Sequence, residues 1–463
     1  MRTRRTAIAP WGVLALCIAA YVAWVAAFST NVPFSDGWTL VPLLRAAQTR
    51  HGFWIRAWRQ HNENRMIVPK VLLTGLGLLT HDNVRGDMLL SSACVAGLVL
   101  LLARQWAQSG RSAWTFLPGA VVLLDPIQAG DALWGFQCAW YLVALCGVGA
   151  IVTLTRQAER PSAGWIVAPI LAVAASFSSS QGLLLWPVGA VWIAWQALSP
   201  RAARWRWIGA AWSGTGLATL GAYLWHFRWN DLGNTAAAVP GWHPERALEY
   251  ALVVLGNVSG YGAAPHGVTV CAVVGGVLAV WTVFTVCRVR RQAFDAVQVT
   301  AALMVGFGFG FVAMVTAGRA GFGVHEALAS RYALYDLWIV AGLTWLALAS
   351  PPGRAVASLA AGGGIPGARR TARLRALAVL LWETQVVVTL TIGVLQGVAT
   401  HRECATLVAA VRAETVRPLP AALVARDIFP KVARWRRAVR IAERQHWSLF
   451  AEPPALPPAR PKA

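Results

Sequence analysis

APWGVLALCIAAYVAWVAAF, residues Ala9 to Phe28, is an unbroken apolar run of twenty residues without a charged side chain. As a helix it spans about 30 Å, the thickness of a bilayer's hydrocarbon core. Arg2, Arg4 and Arg5 precede it, as they would a secretory signal. No A-x-A-like cleavage site stands before Asn31, however, and comparable stretches recur to the far end of the chain. The run is therefore read as a retained first helix.

The rest of the chain repeats the pattern. Of 463 residues, 57% are hydrophobic and 13% charged, too little charge to cover a soluble protein of this size. Spans are expected near 9–28, 88–104, 112–126, 133–155, 163–178, 182–198, 207–226, 267–287, 297–317, 332–350 and 377–399. Met66–Thr80 is apolar but short. Counting it as a span would reverse every later loop, so it is read as an interface helix within a long first outward loop, 29–87. The other outward loops are 126–132, 227–266 and 318–331. The expected fold is all-α and polytopic, with a membrane domain over 1–399 and a short outward tail, 400–463.

The net charge of +22 raises the question of a nucleic acid partner, and its distribution answers it. Loops on one side collect Arg104, Arg111, Arg156, Arg160, Arg201, Arg204, Arg206, Arg288, Arg290, Arg291, Arg354, Arg369, Arg370, Arg373 and Arg375, against only Glu159 and Asp295. That is the positive-inside pattern, and it places the N-terminus inside and the tail outside a cytoplasmic membrane without invoking nucleic acid. All nine histidines fall on the opposite side or at its boundary. The chemistry is expected there.

Six of the seven cysteines lie in or at the ends of spans, where cysteine acts as a small apolar residue, and only Cys404 lies outside. No CxxC, zinc-like spacing, P-loop, GxSxG or dinucleotide fingerprint occurs. The glycine-rich AGGGIPGARR, Ala361 to Arg370, follows no strand and reads as a flexible inward loop.

Five outward constellations remain. The first loop carries PFSDGW at Pro33–Trp38 and RQHNENR at Arg59–Arg65, setting Asp36, His61, Glu63 and Arg65 at one mouth of the bundle. Such a motif serves either as a polar cap for helix ends or as a site in which a carboxylate acts as base or metal ligand. DPIQAGDALWGFQ places Asp125, Asp131 and Gln137 beside aromatics, which fits interface anchoring as well as substrate binding. SFSSSQGLLLWP, from Ser176, makes a polar turn. GRAGFGVHEALASRY sets Arg319 and Arg331 at the outer ends of adjacent spans, with His325 and Glu326 between them. Arginine there either snorkels to lipid phosphate or clamps a substrate phosphate through its planar fork of donors. The loop 227–266, with Trp229, Asp231, Trp242, His243, Glu245 and Tyr261, has the composition of a lid.

A single outward Asp after the first span, a long first loop, about eleven spans and outward arginines resemble the GT-C superfamily of membrane glycosyltransferases. FSDGW, HNENR, LWGFQ and GRAGFG…SRY also resemble an uncharacterised bacterial branch of GT-C-like proteins, over most of Trp11 to Ala399. The branch motif HNEHR has a second histidine where Asn64 stands here. The resemblance implies a polyprenyl-phosphate sugar donor, a lipid or glycan acceptor among the membrane lipids, and transfer on the outer face of the cytoplasmic membrane for cell-envelope glycan or lipid modification. Asp36 is then the base and Arg331, helped by Arg319, neutralises the departing phosphate. Asp131, Gln137, His325, Glu326 and Arg65 are expected to assist. His61 and Glu63 would orient Asp36, bind the acceptor, or bind Mg or Mn with it; a metal suits a pyrophosphate-linked donor. A lipid-linked glycan polymerase or ligase and a transporter or flippase are the alternative classes. The latter is expected to carry repeated halves and midplane acids, of which the spans hold only Asp336, read as a partner for Arg331, and Glu383. The basic tail helix near Lys431–Arg444 is expected either on the outer membrane surface or over the site, and AEPPALPPARPKA is expected to be disordered.

Overall fold

The computed structural model describes residues 2–198, 202–228, 243–289, 294–349 and 368–451. Trp229, Asp231, Trp242, most of the glycine-rich loop, Arg201, Arg290, Arg291, Arg354 and the proline-rich end lie outside them, as does the side chain of Glu383. Among the described residues the chain is 84% helical and contains no strand. A helix occupies each of the eleven apolar stretches. Five, Ile8–Phe28, Val84–Gln108, Gly135–Glu159, Gly267–Cys287 and Ala296–Phe322, are long and apolar enough to cross a membrane.

The stretch 112–126 departs most from expectation. A short turn at Ala113–Thr115 is followed by a seven-residue helix, Leu117–Leu123. Proline explains both ends: Pro118 suits the first helical turn, and Pro126, which follows Asp125 in extended conformation, cannot continue the helix. Elsewhere local signals set the boundaries. Asn83 caps Val84–Gln108 through the amide of Arg85, and Asp295 with Gln298 forms a capping box on Ala296–Arg319.

The connections fall into two sets by contact. At one end of the bundle Arg111 pairs with Asp295 at 2.5 Å, Arg204 reaches Gln157 at 2.6 Å, and Glu159 accepts the Ala296 amide at 2.8 Å. At the other end the Val68 amide donates to the Phe177 carbonyl at 3.1 Å, Asn257 donates to Ala329 at 2.8 Å, and His401 Nδ1 lies 3.0 Å from the Phe28 carbonyl. The arginine-bearing connections with Arg111 and Arg204 share the first end, and the described acid- and histidine-bearing connections of the first loop and of Asn257–Ala329 the second. That division follows the charge asymmetry in the sequence.

Helix Ile67–Thr80 belongs to the second end. Asn31 Oδ1 accepts the Val84 amide at 3.0 Å, so the chain returns at Val84 to where it left the first helix. The helix packs beside Val41–Gln48, with Gly77 against Leu44. Lys70 is buried, and its ammonium donates to the carbonyls of Ala57 and Arg59 at 3.2 and 2.5 Å, fastening the helix beneath the RQHNENR turn.

The described part of 227–266 includes a packed helix. Pro244–Gly256 runs antiparallel to Gly267–Val289, with Gly256 on the Cys271 carbonyl and Gly275 on that of Leu252. A Cβ at either glycine would collide with backbone, and small residues of this kind let apolar helices pack closely in lipid.

A second hydrophobic core lies apart from the bundle. Helix Ala368–Val416 has 49 residues. Past His401, level with the end of the first helix, it continues for about 22 Å. There Cys404, Leu407 and Val411 pack with Val32, Trp38, Val41 and Leu44 of the first loop and with Val424, Trp435, Val439 and Ala442 of the tail. Trp38 and Trp435 meet edge to face, centroids 6.2 Å apart. The Lys431–Arg444 helix therefore caps the first loop.

Asp82 sits in the joint between tail and loop, next to His81, whose carbonyl accepts the Ser448 amide at 2.8 Å. Burial pushes its carboxyl from 3.8 up to about 7. An acid raised on folding favours the folded state below its unfolded value and withdraws that stability as pH climbs through the folded one. Asp82→Asn is thus expected to raise the midpoint of thermal unfolding, with the gain growing from pH 5 to pH 7 and levelling above it. A gain equal at pH 5 and pH 8 would show that Asp82 does not titrate in this interval.

Candidate functional site

Asp36 lies in the first turn of a short 3-10 helix, Ser35–Thr39, entered by Ser35 at a φ of 43°. Two anchors hold the turn. Before Asp36, the Phe34 carbonyl accepts the Trp134 indole N–H at 3.0 Å and the two rings meet edge to face. After it, Trp38 is buried in the tail core. The carboxylate between them stays one-third exposed, and its Oδ2 is 3.2 Å from Nε2 of His61. That nitrogen is buried and lies off the line of a hydrogen bond. Phe136 packs on the other side of the imidazole, ring centroids 5.1 Å apart.

The HNEN sequence makes a tight reversal. His61 and Asn64 exchange both backbone hydrogen bonds at 2.8 Å, and Asn62 takes a φ of 48°, a left-handed conformation that asparagine tolerates. Around the turn the polar side chains act as fasteners. Gln60 Oε1 accepts the Arg228 amide at 2.9 Å, and Asn64 Oδ1 accepts from the Ser179 hydroxyl and the Ser180 amide at 2.9 and 2.8 Å. Arg65 is buried, donates to the carbonyls of Tyr223, Trp225 and Trp58, and lies over the Trp58 ring. Its three guanidinium nitrogens thus serve carbonyls at the ends of two helices, Ala202–Leu224 and Phe53–Trp58. Arg65 positions the loop.

Glu63 points out of the turn to Arg319, Oε1 to guanidinium at 2.9 Å across 256 residues. Arg331 pairs with Glu326 and lies over the ring of Tyr332 at 5.1 Å. Behind it stands Asp131, fully buried, with neither carboxylate oxygen hydrogen-bonded among the described residues. Burial raises its carboxyl well above the ordinary range, and the Arg331 charge opposes that rise. The close approach depends on Gly130, where a Cβ would strike the Ser330 hydroxyl. Tyr250, from Pro244–Gly256, is buried beside the same group.

The segment 125–137 joins the two halves. Trp134 and Phe136 touch the Asp36 and His61 loops, while Gly130 and Asp131 touch the Arg331 turn. Asp125 caps its start, accepting from the Ile127 amide at 2.9 Å and from the Thr389 hydroxyl. Gln137 is buried in the same segment, whereas His325 is exposed and makes no polar contact among the described residues. Three stretches distant in sequence thus meet at one end of the bundle. Tyr250 and Tyr223, whose hydroxyl donates to the Glu63 carbonyl at 2.7 Å, escaped the sequence reading because each sits in an ordinary apolar run. Asp336 is buried without a hydrogen-bond partner among the described residues, and Arg331 pairs with Glu326 in its stead.

Among the described residues no group of three His, Cys, Asp or Glu side chains is arranged to hold a metal ion. A cavity of about 280 Å³ lies at the opposite end, lined by Gln105, Arg156, Glu159, Arg160 and Asp295. Comparison with family models, with curated proteins and with solved structures finds no match to this chain.

Proposed function

We propose that the protein is an integral-membrane glycosyltransferase of GT-C type. It moves a sugar from a polyprenyl-phosphate donor to an acceptor hydroxyl at the outer face of the cytoplasmic membrane. The observation that carries this reading is the convergence of a partly exposed Asp36, beside His61, with two carboxylate-held arginines, Arg319 and Arg331, at one end of an apolar bundle. Asp36 takes the acceptor proton as the acceptor oxygen bonds to the anomeric carbon. The bond from that carbon to the phosphate oxygen breaks, and its electron pair leaves with polyprenyl phosphate. Arg331 and Arg319 neutralise the departing charge, and the anomeric centre inverts.

Eleven spans agree with this arrangement. The tail packs on the first loop through Trp435 and Trp38, so an even number of crossings must separate them. The ten stretches from 88–104 to 377–399 satisfy that, and Ile67–Thr80 as an eleventh would not. Reporter fusions after Gln157 and Arg204 are expected to report cytoplasm, and one after Arg412 the outside. Arg204 and Arg412 reporting the same side would break the assignment.

The direct experiment incubates purified protein in nanodiscs with a panel of polyprenyl-phosphate hexoses and pentoses plus a membrane-extract acceptor, and measures released polyprenyl phosphate. Release above that of an Asp36→Asn control supports transfer. A second reading, proton-coupled transport, is favoured by the buried and unpartnered Asp131 and Asp336. Proton uptake by proteoliposomes, lost on Asp336→Asn and unaccompanied by donor cleavage, would select it.

A further inference from the structure

Positive charge is disfavoured in translocated segments, yet residues 401–451 carry ten basic residues against four acidic ones. Four of the arginines lie in register. Arg434, Arg437, Arg440 and Arg444 are all exposed on helix Val432–Gln445 and share the face opposite Trp435, Ala438, Val439 and Ala442, which are buried. Among the described residues none of the four has a carboxylate partner. Arg436, off the stripe, does pair, with Glu414 at 2.8 Å. From Arg434 to Arg444 the row is about 15 Å long. It continues onto the first loop through Gln445, whose Oε1 accepts from Arg45 at 3.3 Å. Arg45 is exposed on Val41–Gln48, the helix that follows the Asp36 turn.

Three features narrow the occupant. A helix lying on lipid buries its apolar face in the headgroup boundary, but here that face is packed on Trp38 and Val41, and no large apolar side chain of the helix is exposed. Lipid-facing character lies instead on Phe53–Trp58, where Trp54 and Ile55 are 65% and 67% exposed. The row is convex and linear, so it suits an extended ligand with several charges and not a single ion. It also ends beside the turn that carries the proposed base.

We propose that this row binds an acidic polysaccharide and guides it toward Asp36, so that the acceptor is an anionic glycan. The choice of a glycan among polyanions rests on the transferase reading; the anion-binding row does not.

Labelled alginate, a linear polyuronate, is titrated against the full-length protein in zwitterionic nanodiscs, with neutral dextran as control. Wild-type protein is expected to bind alginate and not dextran, more weakly as salt rises. Replacing Arg434, Arg437, Arg440 and Arg444 together by Gln should weaken binding about tenfold or more and flatten the salt dependence, with the thermal midpoint unchanged. The Arg156→Gln, Arg160→Gln double variant, at the other end of the bundle, should bind as wild type. Alginate binding that is absent, that survives in the quadruple variant, or that is matched by polyglutamate would overturn the proposal. So would its abolition by anionic lipid in the disc, which would hand the row to headgroups. Loss of alginate binding with sugar transfer intact refutes only the acidic acceptor. Binding without donor cleavage by any panel member refutes the transferase reading and leaves the row standing.

Discussion

Asp36→Asn is expected to lower product formation by about two orders of magnitude or more, while the protein inserts and folds as before. Asparagine keeps the shape of the side chain and removes the basic carboxylate. The structural role of the turn rests elsewhere, on the Trp134 indole bonded to the Phe34 carbonyl and on Trp38 buried against Trp435. Thr39 is held through the backbone carbonyl of Asp36 at 2.6 Å, which the substitution leaves in place. A hundredfold loss corresponds to about 2.7 kcal/mol of transition-state stabilisation. That is well above the ~1 kcal/mol or less of a partly exposed ion pair. Released polyprenyl phosphate in nanodiscs is the readout, with thermal midpoint as the folding check. Turnover at the wild-type rate by a well-folded Asp36→Asn protein would remove Asp36 from the mechanism.

What the sequence disclosed and what it withheld follow from the range of the interactions. Apolar length is a local property, so runs such as Ala9–Phe28 announce helices without knowledge of their neighbours. The arginine asymmetry likewise sorts the loops, and Arg111–Asp295 on one side and Asn257–Ala329 on the other fall where it puts them. Residue types for chemistry were also visible, because a carboxylate or histidine between apolar runs stands out. Pairing was not. Nothing local joins Glu63 to Arg319 or lays Gly130 on Ser330, since both contacts depend on how helices pack hundreds of residues apart. The expected Arg331–Asp336 pair failed for the same reason: nearness in sequence placed them together, while the fold gave Arg331 to Glu326. Arg65 shows the converse. It reads as a site residue in RQHNENR, and the sequence did not disclose that its donors also close the carbonyl end of Ala202–Leu224. The destination of the tail depended on Trp38, an aromatic that in sequence looks like one more interface anchor.

Arg331→Lys is the sharper test of the donor site. Lysine preserves the charge and loses the planar fork, so an arginine that only reaches lipid phosphate tolerates the change. An arginine that grips a leaving phosphate through two parallel bonds is expected to lose roughly 2 kcal/mol, about thirtyfold in transfer at limiting donor. The surroundings favour the larger effect. Arg331 is held over Tyr332 and against Glu326, with the buried Asp131 behind it, so its head is fixed in place and not free to follow lipid. The pairing with Glu326 also means that an arriving phosphate competes with a carboxylate. Compact ammonium, which offers no second donor edge in that plane, is expected to remain with Glu326. Arg319→Lys should cost less, since Arg319 bonds Glu63 through one nitrogen and supplies supporting charge. The measurement is transfer across a range of donor concentrations, with expression and thermal midpoint followed in parallel. Loss of stability with no change in transfer per folded molecule would make Arg331 a packing residue, and unchanged transfer would return it to the lipid interface.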